Sequence, residues 1–157
     1  MKRTFCSLLL GLSCFSAHAN VQVSDCVIRE PAPGSDKTGL YFNLTYTLDE
    51  QTQALRLPGP ESLFGAAVPE LTTYTELHDM THVDGVMKMQ RLSRLPVKPN
   101  QPVVLKPGGK HVMLFNLAKR PVAGEEYDVD VWMAWAPGVT CKAIVKTSAQ
   151  LAQEVKK

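Results

Sequence analysis

Histidine and methionine side chains are concentrated in one window of the sequence, at spacings that suit metal binding. Within residues 78–113 they form three pairs two residues apart: His78/Met80, Met87/Met89 and His111/Met113. In a β-strand this spacing projects both side chains of a pair from the same face, so each pair can present two donor atoms to one point. The sequence therefore offers imidazole nitrogens and thioether sulfurs that could converge on a shared ion.

The thioether sulfurs determine which metal these residues would favour. Thioether sulfur is soft and neutral, so it suits Cu(I) and contributes little to a Zn(II), Mg(II) or Ca(II) site. Imidazole binds many transition metals, and the methionines would therefore supply the selectivity. Two histidines and two methionines would leave the site with the single charge of Cu(I), and they avoid thiolates, which an oxidising compartment converts to disulfides. We therefore predict a site for one Cu(I) ion.

The same residues have plainer interpretations. Methionine most often fills gaps in a hydrophobic core, and a single histidine is more often a surface residue than a ligand. The joint occurrence of three pairs in one window favours metal binding over accidental packing in a metal-free scaffold or adhesion domain. An enzyme, either a copper oxidase or a zinc hydrolase, is a further alternative. A zinc hydrolase would need three His, Asp, Glu or Cys ligands and an open water position, and its histidines would have to be His78, His82 and His111.

The first residues have the order of a secretory signal. Basic residues come first, a Leu- and Phe-rich apolar run follows, and residues 17–19 (Ala-His-Ala) form a small-x-small cleavage site. We predict a signal peptide over residues 1–19, cleaved after Ala19, and an exported mature chain. A competing interpretation makes Cys14 a lipidated N-terminus, although Gly11 stands where leucine is expected. No later run approaches the roughly 18 apolar residues of a membrane-spanning helix.

Removal of this signal would change the cysteine count and the charge of the chain. Two of the four cysteines lie in the signal, and Cys26 and Cys141 are left. In an oxidising compartment an even pair indicates a disulfide, with two free buried thiols as the alternative. The two basic residues that are lost lower the formal net charge from +2 to zero. This balance gives no argument for attraction to nucleic acid or to an anionic membrane.

Frequent proline and glycine turns divide the chain into short runs that look like strands. Leu40, Phe42, Leu44 and Tyr46 alternate with other residues, which predicts a half-buried strand with these four on one face. Residues 72–77, 86–92, 103–105, 112–117, 127–135 and 139–147 read similarly. Many short strands without a helical pattern predict an all-β chain, either an antiparallel sandwich or a small barrel. We assign one domain to residues 20–147, and either a short helix or a frayed tail to residues 148–157.

The spacing of the histidines and methionines resembles that of a known family. His78, ten residues, Met89, twenty-one residues and then His111-Val112-Met113 match the H-x10-M-x21-H-x-M pattern of the periplasmic copper chaperones named PCuAC. Residues 76–80, 84–89 and 105–114 also look like blocks of that family. The resemblance implies a cupredoxin-like Greek-key β-sandwich in the periplasm that binds one Cu(I) ion through His78, Met89, His111 and Met113.

The resemblance also implies a task, and the residues beside the motif suggest further roles. The task would be delivery of copper to the copper A centre in subunit II of cytochrome c oxidase, by a monomer that is not an enzyme. Storage or detoxification of copper would use the same ligands. Met80 and Met87 would be either auxiliary sulfurs during transfer or an apolar rim for a partner, and His82 would face solvent. The turn at residues 107–109 would aim His111 and Met113, since glycine permits a tight reversal.

Overall fold

The computed structural model describes residues 20–48, 61–136 and 138–154. The predicted signal peptide, with the alternative lipidation site Cys14, lies outside these residues. The described part of the chain contains ten strands and one helix: β1 (Asn20–Arg29), β2 (Thr38–Thr47), β3 (Glu61–Ala67), β4 (Thr75–Val83), β5 (Val86–Leu92), β6 (Leu95–Val97), β7 (Val103–Val104), β8 (His111–Leu114), β9 (Glu126–Met133), β10 (Val139–Lys146) and α1 (Ser148–Glu154).

The strands form one curled sheet. Their order is β5-β4-β8-β2-β1-β10-β9-β3-β6, and β7 lies beside β2. All these pairs are antiparallel except β1 with β10. The sheet curls until β3 approaches β4. Gly65 of β3 lies so close to Thr75 of β4 that a Cβ added to the glycine would be 3.8 Å from the Thr75 hydroxyl oxygen. The two halves of the curled sheet form two layers that enclose the main core, which confirms the predicted all-β sandwich.

The alternating pattern of β2 divides the sheet into an inner and an outer face. Leu40, Phe42, Leu44 and Tyr46 are all buried in the core, as their spacing predicts. Val112 and Leu114 of β8 join them in the same cluster. Since side chains alternate along a strand, the intervening positions of these strands lie on the outer face. The predicted metal ligands lie on that outer face.

A disulfide joins the two ends of the domain. Cys26 of β1 is bonded to Cys141 of β10, with the two Cα atoms 6.4 Å apart and 115 residues between them in sequence. The predicted pairing is therefore confirmed, and the alternative of two free thiols is wrong. The bond joins β1 and β10, which lie side by side in the sheet but far apart in the sequence.

Three strands, β1, β3 and β6, have no counterpart in the sequence prediction. The period of two in β1 is interrupted by a bulge between Ser24 and Val27, where Asp25 has a φ of 53°. In β3 a similar irregularity lies at Gly65, whose missing side chain weakens the strand pattern. Residues 148–154 form α1, and Leu151 packs against Val27 and Tyr41. In the described chain no helix has both the length and the apolar character to cross a membrane.

Candidate metal centre

Three neighbouring strands bring the predicted ligands onto one face of the sheet. His78 of β4 lies directly opposite His111 of β8, and Met80 of β4 lies directly opposite Met89 of β5. Directly opposed residues of antiparallel strands project from the same face. Met113 follows His111 by two residues in β8 and therefore shares that face. The structure thus places His78, Met89, His111 and Met113 on a common surface.

A cavity of about 290 Å³ opens on this surface. Its lining includes Arg29, Tyr41, Met80, Met89, Gly108, His111 and Met113. His78 lies beside the cavity and outside its lining, with its ring centre 5.8 Å from that of His111. Three of the four predicted ligands therefore line one cavity, and the fourth is adjacent to it.

The ring of His111 is oriented by the turn that precedes it. Its Nδ1 donates a hydrogen bond to the carbonyl oxygen of Gly109 at 2.9 Å. A carbonyl oxygen can only accept, so Nδ1 carries the proton and Nε2 keeps its lone pair. Gly108 allows the turn by adopting a φ of 75°, and the amide of Lys106 closes it by donating to the Lys110 carbonyl at 2.8 Å. A buried, neutral imidazole nitrogen is thereby made available.

The ring of His78 is oriented by a carboxylate. Its Nε2 lies 2.9 Å from Oε2 of Glu76, which accepts the hydrogen bond. This hydrogen bond, with the Arg91 guanidinium nearby, holds the pKa of the Glu76 carboxyl below its ordinary value, so the group is ionised and acts only as an acceptor. Nε2 of His78 therefore carries the proton. Its Nδ1 is buried and, within the described residues, has no hydrogen-bond partner.

Glu76 is a site residue to which the sequence alone gave no role. Acidic residues are common on protein surfaces, and nothing in the composition singled this one out. The available signal was its position two residues before His78, which in a strand places both side chains on the same face. Glu76 also lies opposite Met113 of β8, so it borders two of the proposed ligands.

The methionines differ in their access to solvent and to the cavity. Met89 is 52% exposed and Met113 is partly buried. Met80, for which the sequence left open an auxiliary sulfur or an apolar rim residue, is also partly buried and lines the same cavity as Met89. Met87 is half exposed and lies outside that lining, and His82 is exposed. The cavity therefore contains three thioether groups, one more than the sequence motif names.

The donor set limits which ions these residues can hold. Among the described residues, no group of three or more His, Cys, Asp or Glu side chains could hold a metal ion. A catalytic zinc site, which needs three such ligands, has no counterpart there. Imidazole nitrogens and nearby thioether sulfurs form a soft donor set without an anionic ligand, which matches Cu(I) among the biological metals.

The burial of His111 predicts a pH dependence of stability. Desolvation lowers the pKa of His111 below its ordinary 6.5, despite the hydrogen bond to Gly109. The unfolded chain therefore takes up this proton at a higher pH than the folded chain does. The stabilising contribution is present above pH 6.5 and is lost as the pH falls through the lowered pKa. We expect the unfolding free energy of the metal-free protein, measured with urea, to decrease between pH 7 and pH 5.

Replacement of His111 by leucine isolates this contribution. The H111L variant should show a shallower decrease over the same pH range, whereas H82Q, which changes an exposed histidine, should follow the parent protein. An unchanged pH dependence in H111L would show that His111 makes no such contribution.

Comparisons with known proteins agree with this fold. The LpqE-like family model, which describes lipoproteins, matches residues 21–145. The copper-bound PCuAC domain of PmoF2 is 20% identical, with a TM-score of 0.63 over 84% of this chain and 97% of that one. The Cu(I) form of DR1885 from Deinococcus radiodurans is 24% identical, with a TM-score of 0.59 over 83% of this chain and 79% of that one.

No curated protein sequence matches the chain. The two structural likenesses confirm the predicted cupredoxin-like sandwich at the level of the fold. The family model covers most of the chain, because residues 21–145 extend from β1 to β10. The chain therefore belongs to the LpqE-like family, which is the PCuAC-type family that its sequence resembles.

Proposed function

We propose that this protein is an exported metallochaperone that binds one Cu(I) ion through His78, Met89, His111 and Met113. The observation that carries the proposal is the pairing of His78 and His111. Both rings are buried, their centres are 5.8 Å apart, and the hydrogen bond of each engages one nitrogen and leaves the other available beside a cavity that contains thioether groups. A buried nitrogen without a partner is costly unless something binds to it. Copper binding would supply that partner.

The position of the site in the sheet favours transfer of the ion over permanent retention. Among the described strands β5 lies at the edge of the sheet, and its residues from Val86 to Arg91 are exposed. Met89 lies on this strand, so a partner protein can reach its sulfur without unfolding the sandwich. The two histidines lie on the interior side of the site and are buried. We expect an incoming ligand to displace Met89 first and the histidines last.

The recipient and the compartment extend this proposal. The similar PmoF2 and DR1885 structures are described as copper-bound and as Cu(I)-bound, which supports copper as the cargo. We propose a monomer in the periplasm that delivers copper to a recipient such as subunit II of cytochrome c oxidase. The proposal takes the signal peptide to end at Ala19. Acylation at Cys14, which the lipoprotein description of the family favours, is the competing outcome, and the mass of the exported chain distinguishes the two.

A transfer experiment tests carriage against storage. The Cu(I)-loaded protein is mixed under reducing conditions with the isolated, copper-free soluble domain of oxidase subunit II. The two proteins are then separated, and copper is measured in each. Carriage predicts that copper appears in the recipient faster than it dissociates to a low-molecular-weight chelator of equal affinity. Storage or detoxification predicts that copper stays with the donor or reaches both acceptors at the same rate.

A further inference from the structure

Glu76 contacts several groups on the outer face of the sheet. Its Oε2 accepts the hydrogen bond from Nε2 of His78 at 2.9 Å, and its Oε1 lies 3.2 Å from the Arg91 guanidinium and 3.5 Å from the Tyr74 hydroxyl. Oε2 thus contacts the histidine, and Oε1 contacts Arg91 and Tyr74. The carboxylate is only 15% exposed, whereas the side chain of Arg91 is 69% exposed. The solvated ion pair with Arg91 contributes little by itself, so the hydrogen bond to His78 is the more consequential contact.

The hydrogen bond from His78 selects between two forms of the ring. A neutral imidazole carries its proton on either nitrogen, and the other nitrogen keeps the lone pair that binds metals. Because Oε2 of the Glu76 side chain accepts the hydrogen bond from Nε2 at 2.9 Å, the proton is held there. Rotation of the ring by 180° about its bond to Cβ would place the carbon Cε1, which has no N–H to donate, against the carboxylate instead. The observed orientation leaves Nδ1 buried and, in the part of the chain that is described, unpartnered.

His111 has the opposite arrangement. Its Nδ1 is protonated and donates to the Gly109 carbonyl, so its free lone pair is on Nε2. The two adjacent rings therefore differ in which nitrogen is available, and different acceptors cause the difference. In β4 the acceptor is a side chain two residues away on the same face, and before β8 it is the backbone of a turn.

We propose that Glu76 is a positioning residue that holds His78 in the Nε2-protonated form, so that copper binds Nδ1 of His78 and Nε2 of His111. The inference rests on the proposed copper function. Carboxylates that accept the second N–H of a ligating histidine fix the ring and raise its basicity, and their loss costs about 10- to 100-fold in metal affinity. We expect a loss in that range when the acceptor at position 76 is removed.

The protonated nitrogen of each ring can be observed without copper. Long-range ¹H–¹⁵N correlation spectra of the metal-free protein at pH 7.5 distinguish protonated from unprotonated imidazole nitrogens. We expect His78 to be protonated at Nε2 and His111 at Nδ1. Addition of Cu(I) should then shift the ¹⁵N resonance of His78 Nδ1 and leave His78 Nε2 protonated. A His78 ring protonated at Nδ1 in the parent protein, or copper bound to His78 Nε2, would overturn the proposal.

Variants at position 76 test the role of the carboxylate. E76L removes the acceptor, and we expect it to lose the dominant Nε2-protonated form of His78 and to bind Cu(I) about 10- to 100-fold more weakly. E76Q keeps an acceptor oxygen and should restore most of both properties. R91Q removes the other charged partner of Glu76 and serves as the matched control. If E76L changes neither the proton position nor the affinity relative to R91Q, Glu76 has no positioning role.

The proton position also separates this proposal from the function on which it rests. If the parent protein takes up no Cu(I) but His78 is protonated at Nε2, the chaperone function is wrong, and the copper part of this proposal falls with it. If the parent protein binds Cu(I) tightly and His78 is protonated at Nδ1, the function stands and the role of Glu76 is wrong. A thermal melt of each variant shows whether a lost affinity reflects lost folding.

Discussion

Replacement of both Met89 and Met113 by leucine should lower the Cu(I) affinity by more than about a hundredfold and leave the fold intact. Loss of an indirect partner of a metal ligand already costs 10- to 100-fold, so loss of two direct ligands should cost more. Leucine has nearly the volume of methionine and no sulfur, and such exchanges usually cost less than about 1.5 kcal/mol of stability. Competition with a chromogenic Cu(I) chelator under reducing conditions measures the affinity, and a urea titration measures the stability.

Single variants identify which sulfurs bind the ion. M87L is the matched control for M89L, because both residues lie on β5 and are about half exposed, but only Met89 lines the cavity. M87L should bind Cu(I) like the parent protein. M80L tests the third thioether of the cavity. If M80L loses the affinity and M89L retains it, the sulfur ligand on this side of the cavity is Met80, which lies directly opposite Met89. If the M89L/M113L variant binds as the parent does, the proposed ligand set is wrong.

Loss of the Cys26–Cys141 disulfide should lower the unfolding free energy by about 2 to 5 kcal/mol. The bond closes a loop of 115 residues in sequence separation, which places the effect toward the upper end of the range in the chain-entropy model. The double variant C26A/C141A, compared with the parent protein by urea denaturation, measures the effect. Neither cysteine lines the proposed copper cavity, so the Cu(I) affinity of the folded variant should not change.

Reduction of the parent protein provides the control for this variant. Cys26 is 4% exposed, so its truncation to alanine also removes packing volume in the core. A reducing agent breaks the bond and keeps both sulfur atoms. The reduced protein should therefore lose most of the stability that C26A/C141A loses. A change below about 1 kcal/mol on reduction would show that the bond adds little to a fold already held by the pairing of β1 with β10.

The metal chemistry of the site could be predicted from the sequence because it depends on the types of residues that lie close together in the chain. A spacing of two residues places His111 and Met113 on one face of whatever strand contains them. The partners across strands are set by register, which depends on contacts between distant parts of the chain. That His78 lies opposite His111, and Met80 opposite Met89, therefore emerged only from the structure. The role of Glu76 depends on this register and on the burial of His78, and for that reason it also required the structure.

The fold was predictable where the alternation of side chains is regular. The four inward residues of β2 follow a strict period of two, and their strand was identified. β1 was not, because the bulge at Asp25 shifts its inward residues from one parity to the other. The role of Glu61 in the fold was also not predictable from the sequence. Its side chain is 1% exposed and accepts hydrogen bonds from the backbone amides of residues 134–136. A buried carboxylate held by a distant backbone segment has no local sequence signal.

X-ray absorption at the copper K-edge of the Cu(I)-loaded protein tests the central claim most directly. The claim is that two imidazole nitrogens and thioether sulfurs from separate strands bind a single Cu(I) ion. The expected spectrum has the edge of Cu(I) and a first shell that contains two nitrogen and two sulfur scatterers, with imidazole multiple scattering. M89L should lose one sulfur scatterer. A first shell without sulfur, or without imidazole, would contradict the account.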